Sequence, residues 1–356
     1  MALRLVRVRV PLRTAHRSAH GTDAVRDSVL VCWTRPDGVE GWGECPTLAA
    51  PGYTTETTDR AWSGLVGELG PAAVMQGTWS ANGLVAASAA LSDAGLDASL
   101  RATGVSLVEH LGGVRRPLPT CAVVAGVGGP PGEAAAAAAR AAAGGAAMVK
   151  VKVVPDSAAE VLRAVQEAVP GLPVAADANG SFVDGAALAE LDGLGLAYLE
   201  QPLAAGTTWD DYAALCDALV TPVALDESLT SADAVRSATG AGAADVVSIK
   251  PARMGGVAAA ALAVSAAAAH GVPAFVGGMF ELGIGRAAAA AVATLAGCTL
   301  PTDLGPSERY VEVDVCAPVV TDGGGRLLVP DGAGIGRVPG AELLARFAVE
   351  EVVLGR

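Results

Sequence analysis

Aromatic side chains are scarce: Phe, Tyr and Trp make up only 4% of the 356 residues. Basic residues are outnumbered, 24 Lys and Arg against 37 Asp and Glu, which leaves a formal net charge of −13. That balance argues against binding nucleic acid or an anionic membrane through a basic face. A small substrate stays open, because the local charge of a pocket can oppose the overall sign. No Cys-x-x-Cys pair occurs among Cys32, Cys45, Cys121, Cys216, Cys298 and Cys316, so these read as reduced, mostly buried thiols. The Ala-rich stretches near 134–148 and 257–269 are too short and too weakly apolar to span a bilayer. The opening M-A-L-R-L-V-R-V-R-V alternates Arg with apolar residues, so no signal peptide is expected and a cytoplasmic protein is.

Apolar residues are plentiful at 52%, carried by alanine, with 45 glycines, which suits tight packing of helices on a sheet. The length suggests one large domain and a smaller one. Residues 3–10 and 28–34 read as strands, joined by the polar P-L-R-T-A-H-R-S-A-H-G-T, which suits a loop, solvated or covering a substrate, and holds His16 and His20. Gly41–Cys45 closes a third strand, and the pattern is then helical to about Leu111, with an amphipathic stretch from Asn82 to Arg101. Residues 1–115 therefore read as an α+β unit, and R-R-P-L-P at 115–119 as a boundary. Strand ends are expected near Val124, Val153, Asp177, Glu200, Asp226, Lys250, Val276 and Leu304, with seven helices between them. The spacing predicts a TIM-type (β/α) barrel over 116–310, capped by residues 1–115 and a tail, 311–356, that folds back onto them. In that tail Tyr310–Val315 and Arg326–Val329 look β-like, and a short helix is expected near 340–349.

Charged residues fall on the barrel's beat. From Lys152 the steps to Asp177, Glu200, Asp226 and Lys250 are 25, 23, 26 and 24 residues, each charge closing a short apolar run. One strand–loop–helix–loop unit has that length, so these side chains should gather at the C-terminal mouth of the barrel. Three carboxylates there would repel one another unless a cation neutralised them. An all-oxygen set suits Mg²⁺, or Mn²⁺, better than Zn²⁺. The plainer alternative, that each acid caps a helix or pairs with a neighbour, would fit one such residue better than three on the beat. Asn179 and Glu227 stand close enough in sequence to support the set.

Lys150 and Lys152 are two apart, so both face inward, where they should lower each other's pKa towards that of a general base. Lys250, four strands on, should oppose Lys152. Opposed amines above a dication suit removal of a proton next to a carboxylate, with the metal stabilising the enediolate. A lone lysine forming a Schiff base is the competing role, and it would leave the acids without a purpose.

K-V-K, D-A-N, E-Q-P, L-D-E-S and I-K-P-A-R-M-G-G together resemble the enolase superfamily, in its muconate-lactonizing-enzyme-like branch, over essentially the whole chain. R-T-A-H-R-S-A-H-G-T and V-G-G-M-F-E-L-G-I-G-R-A look like the group of o-succinylbenzoate synthases and N-succinylamino acid racemases. The resemblance implies that Lys152 and Lys250 are the acid/base pair, that Lys150 supports Lys152, and that Asp177, Glu200 and Asp226 hold Mg²⁺. It also implies that the 277–281 loop, with Gly278, Met279 and Glu281, shapes the substrate site, that the loop bearing His20 faces the succinyl group, and that the chain forms a homo-oligomer. In the synthase Lys152 takes the α-proton and Lys250 only stays protonated. In the racemase Lys250 must also exchange a proton on the opposite face. Arg253 bears on this, since a guanidinium near Lys250 would depress its pKa, unless it only binds backbone or a carboxylate at the rim. His16 and His20 stand where close relatives often carry aromatic or apolar side chains, and Leu282 and Ala289 replace the Thr and Asn of the group's pattern.

Two rivals remain. G-I-G-R-A-A from Gly283, with Asp303 twenty residues on, imitates a dinucleotide fingerprint, but Val276 precedes Gly283 by seven residues, too far for a Rossmann turn. A barrel that only binds a carboxylate ligand would be expected to have lost a lysine or an acid, and none is lost.

Overall fold

The computed structural model describes residues 2–18, 21–51, 54–183 and 188–355. Strands β1 (Ala2–Ser18), β2 (Gly21–Thr34) and β3 (Glu40–Cys45) open the chain. They are followed by α1 (Thr58–Gly64), a π-helical turn at Leu65–Leu69, α2 (Gly70–Gln76), α3 (Val85–Thr103) and α4 (Leu107–His110). The Ala-rich face of α3 lies directly on β3. A Cβ built on Gly41 would stand 2.0 Å from the Ala98 nitrogen, and one on Gly43 would stand 2.1 Å from the Ala90 oxygen.

Residues 11–18 and 21–27 of the expected loop instead continue the two strands. His16 pairs with Asp23, Arg17 with Thr22 and Ser18 with Gly21, beyond a register shift that begins at Pro11. Proline has no N–H for the ladder, which accounts for the break. There Leu12 bridges to Val311 and the Arg13 nitrogen donates to the Tyr310 oxygen at 2.8 Å. The polar composition hid the strand because the usual alternation of apolar and polar residues is missing. His20 lies outside the described residues.

The barrel sheet holds β4 (Cys121–Ala125), β5 (Met148–Lys152), β6 (Val174–Asp177), β7 (Leu199–Glu200), β8 (Val223–Leu225), β9 (Val246–Ile249) and β10 (Ala274–Val276), all parallel and in sequential order. Between them run α5 (Pro131–Ala143), α6 (Ala158–Ala168), α7 (Ala189–Asp192), α8 (Trp209–Ala218), α9 (Ala232–Gly240), α10 (Pro251–Met254) and α11 (Val257–Ala269), and α12 (Gly283–Val292) follows β10. The eighth strand expected near Leu304 is not a ladder. Cys298 bridges to Ala274 on one edge and Thr302 to Thr120 beside the other, so single bridges join the ends of the sheet.

The tail departs from expectation as well. Tyr310–Val315 and Arg326–Val329 make isolated bridges, at Val311 and Leu327, rather than strands. The last helix, α13 (Ala341–Phe347), hands over to a strand that the sequence reading missed, β11 (Ala348–Gly355). Its run of β-branched Val349, Val352 and Val353 favours an extended chain. It pairs antiparallel with β1, giving the cap sheet the order β11-β1-β2-β3. All six cysteines are unpaired thiols, five of them buried. Among the described residues no helix is long and apolar enough to cross a membrane.

Cap and barrel meet at a carboxylate. Glu44 of β3 accepts from the backbone nitrogens of Leu282 and Gly285, each at 2.8 Å, and so caps the start of α12. Burial pushes the Glu44 carboxyl up to about 7, with the two N–H groups and Arg26 opposing. Its folded pKa exceeds its unfolded one, so its contribution to stability is complete at low pH and is lost as pH rises towards 7. The loss should reach about 3 kcal/mol. Between pH 4.5 and 7 the wild-type melting temperature should therefore fall relative to that of Glu44→Gln, which lacks this titration. A difference that does not change with pH would remove the argument.

Candidate active site

Seven side chains form the barrel floor: Cys121, Met148, Ala175, Tyr198, Ala224, Val246 and Phe275, with Leu300 packed against them. A strand returns to the same face every second residue. Two residues above the floor therefore come Lys150, Asp177, Glu200, Asp226, Ser248 and Gly277. One further pleat up come Lys152, Asn179 and Lys250. The charged ring is thus a register consequence of the apolar floor beneath it.

Lys150 is fully committed within the ring. Its Nζ donates to Glu200 Oε2 at 2.7 Å and to Asp303 Oδ2 at 2.6 Å, and it lies 4.0 Å from Asp177 Oδ2. It also stands 5.2 Å above the centroid of the Phe275 ring. The expected mutual lowering with Lys152 does not govern it. Burial does disfavour the ammonium, but Asp303, Glu200 and Asp177 outweigh burial and hold its pKa well above the ordinary lysine value. Lys152 differs in access, with 39% of its side chain exposed against 3% for Lys150. Its Nζ donates to Asp177 Oδ2 at 3.0 Å and to Asn179 Oδ1 at 2.7 Å. Asn179, in the left-handed region at φ 45°, is held in turn by Glu227 Oε1 at 2.9 Å.

Across the ring, Lys250 Nζ donates to Asp226 Oδ2 at 2.7 Å and Arg253 Nη2 to Asp226 Oδ1 at 2.6 Å. Arg253 is buried and not at the rim, and its Nε also donates to the Leu229 oxygen. Burial would raise the Asp226 carboxyl, but Arg253 and Lys250 hold it well below the usual range. Glu200 goes the other way: burial raises it, Lys150 opposes, and Asp177, Asp226 and Asp303 add to the rise.

Among the described residues no three acid, histidine or cysteine side chains are already gathered as a metal site, and the Lys150 ammonium stands among the acids. The donor set nevertheless fits a hard dication. Glu200 Oε1 and Glu227 Oε2 are buried acceptors without a hydrogen-bond partner, in a ring crowded with carboxylates.

The 277–281 segment lies beside this ring. A Cβ on Gly277 would stand 2.8 Å from Lys250 Cε, so only glycine fits there without moving the lysine. The Gly278 nitrogen donates to Asp303 Oδ1 at 3.1 Å, and Glu281 accepts from the Met279 nitrogen at 2.9 Å. The Met279 side chain packs into the apolar core of the cap with Ala87, Ala90, Leu91 and Ala94, so it is the backbone of this segment that borders Lys250. The G-I-G-R-A-A turn opens α12, where Glu44 and Asp314 already take the Leu282, Gly283 and Gly285 nitrogens that a pyrophosphate would need.

Two residues of the site were given no role by the sequence. Asp303 closes the eighth βα unit, yet reads there only as the acid of the dinucleotide imitation. Gln201 is fully buried. Its Oε1 accepts from the Asp226 and Ser228 nitrogens, and its Nε2 donates to Tyr212 Oη at 2.7 Å, which fixes the turn carrying Asp226. The signal for Gln201 was present in E-Q-P, where only the Glu was given a task.

The enolase C-terminal domain-like family matches residues 133–342. An N-succinylamino acid racemase from an Amycolatopsis species is 37% identical over 364 residues, covering 99% of this chain and 98% of its own. An o-succinylbenzoate synthase from Geobacillus stearothermophilus is 35% identical, covering 92% of this chain and 90% of its own. The solved structure of an enolase superfamily member from Listeria innocua superposes with a TM-score of 0.93 at 25% identity, covering 99% of this chain and 98% of its own. The chain belongs to the enolase superfamily, in the group that contains the o-succinylbenzoate synthases and N-succinylamino acid racemases.

Proposed function

We propose that this chain removes the proton α to a carboxylate and passes through an enediolate, acting as an o-succinylbenzoate synthase in menaquinone biosynthesis. The observation that carries this reading is the asymmetry of the opposed lysines, Lys152 with 39% of its side chain exposed and Lys250 with 8%. Lys152 on β5 is open to a substrate, and its Nζ is aimed by Asp177 and Asn179. It takes the α-proton of the cyclohexadiene acid. Lys250, held on Asp226, remains a cation facing the enediolate oxygens, and loss of water then gives the aromatic 2-succinylbenzoate. Asp177, Glu200 and Asp226 would hold Mg²⁺, or Mn²⁺, which supplies Lewis-acid stabilisation of the developing negative charge.

Arg253 favours a second reading, an N-succinylamino acid racemase, alone or as a second activity. It shares Asp226 with Lys250, so less of that charge is left to hold the Lys250 proton. A neutral Lys250 could then work on the opposite face of the α-carbon.

With Mg²⁺ present, the α-proton of the substrate should exchange with D₂O, and excess EDTA should stop the exchange. Exchange that persists in EDTA would remove the enediolate reading. The cyclohexadiene acid and an N-succinylamino acid, assayed in parallel, choose between synthase and racemase by kcat/KM. Turnover of neither would end both substrate assignments.

A further inference from the structure

We infer that Asp303 is the positioning residue for Lys150, the group that holds its ammonium when Glu200 turns to a dication. This rests on the proposed function. Lys150 is clamped between two carboxylates, Glu200 Oε2 at 2.7 Å and Asp303 Oδ2 at 2.6 Å. Its side chain is only 3% exposed, and the Phe275 ring lies 5.2 Å below, so it can neither swing to solvent nor sink into the floor. Asp177, its third acidic neighbour at 4.0 Å, belongs to the same proposed ligand set as Glu200. Once those two give their oxygens to a cation, Asp303 is the one carboxylate of the three left to Lys150.

Asp303 is fixed for that task. Its second oxygen accepts from the Gly278 nitrogen at 3.1 Å. Next to it, Thr302 bridges to Thr120 and donates to the Val276 oxygen at 2.6 Å. The carboxylate therefore stands on the segment that joins the two ends of the barrel sheet, and it cannot follow the lysine. It also ties Lys150 on one wall to the 277–278 backbone beside Lys250 on the other.

Without the Asp303 charge, the ammonium has Glu200 and Asp177 as its acidic partners and competes with the dication for them. Mn²⁺ binding, followed by electron paramagnetic resonance, reads this without turnover. Asp303→Asn should weaken Mn²⁺ binding roughly tenfold or more when Lys150 is present. In the Lys150→Met background the same change should cost less than about threefold, because no ammonium is left to compete. Equal weakening in both backgrounds, or none in either, would overturn the inference and leave the proposed function standing. A wild-type chain that binds no Mn²⁺ would overturn both. If Asp303→Asn alone does not fold, the double variant carries the test. It should then fold and bind Mn²⁺ within about threefold of Lys150→Met, and failure of the double variant to fold would overturn the inference.

Discussion

Lys152→Ala should abolish α-proton exchange, lowering kcat/KM by about 10³-fold or more while the fold and dication binding survive. The size follows from the role: a positioned general base contributes roughly 10²–10⁴-fold, and no other amine on that wall can replace it. Lys150 is two residues away on the same face, but its ammonium is bound to Glu200 and Asp303 and lies one pleat lower. Stability should change little, because 39% of the Lys152 side chain is exposed and surface ion pairs contribute about 0–1 kcal/mol. Exchange monitored by proton NMR in D₂O checks the first part and a thermal melt the second. Exchange within tenfold of wild type would show that the base lies elsewhere.

Gly41→Ala should strongly destabilise the cap. The added Cβ would meet the Ala98 nitrogen at 2.0 Å and the Ala94 oxygen at 2.4 Å, both backbone atoms of α3. No rotamer change relieves a clash with backbone, so β3 must lift away from the helix. Overpacking against backbone should cost about 3 kcal/mol, the upper end of the usual range. The damage should spread to the active site, because Glu44, three residues on, caps α12. The same substitution at Gly132 meets nothing within 4 Å in the exposed first turn of α5, and there alanine should stabilise by about 0.5–1 kcal/mol. Denaturant melts of the two variants should therefore shift in opposite directions. A Gly41→Ala variant as stable as the wild type would mean that the cap sheet does not pack on α3.

Much of the barrel was legible because its βα period is long and its charges mark the strand ends. Asp177, Glu200, Asp226 and Lys150 do share one level of the barrel, with Lys152 and Lys250 one pleat above and bonded to it. The hairpin between 10 and 28 was not legible, since strand pairing between polar residues leaves no alternation of apolar side chains to read. β11 escaped for a related reason: it is an edge strand whose partner, β1, lies more than three hundred residues earlier in the chain. The eighth unit was expected as a strand ending near Leu304. Whether it forms a ladder depends on the two sheet edges it meets, and there it makes only bridges.

What the amino-acid order determined by itself is which groups share a face, because a two-residue pleat and a βα repeat are properties of the local chain. What the tertiary structure alone decided is which of those groups is open, which is neutralised and by whom. Lys150 and Lys152 are indistinguishable by spacing. Carboxylates from remote segments, Glu200 and Asp303, which is brought from the far end of the barrel sheet, hold one as a buried cation, while the other stays open to solvent. Charge pairing and solvent access are set by distances between segments remote in sequence, and those distances exist only once the ring has closed.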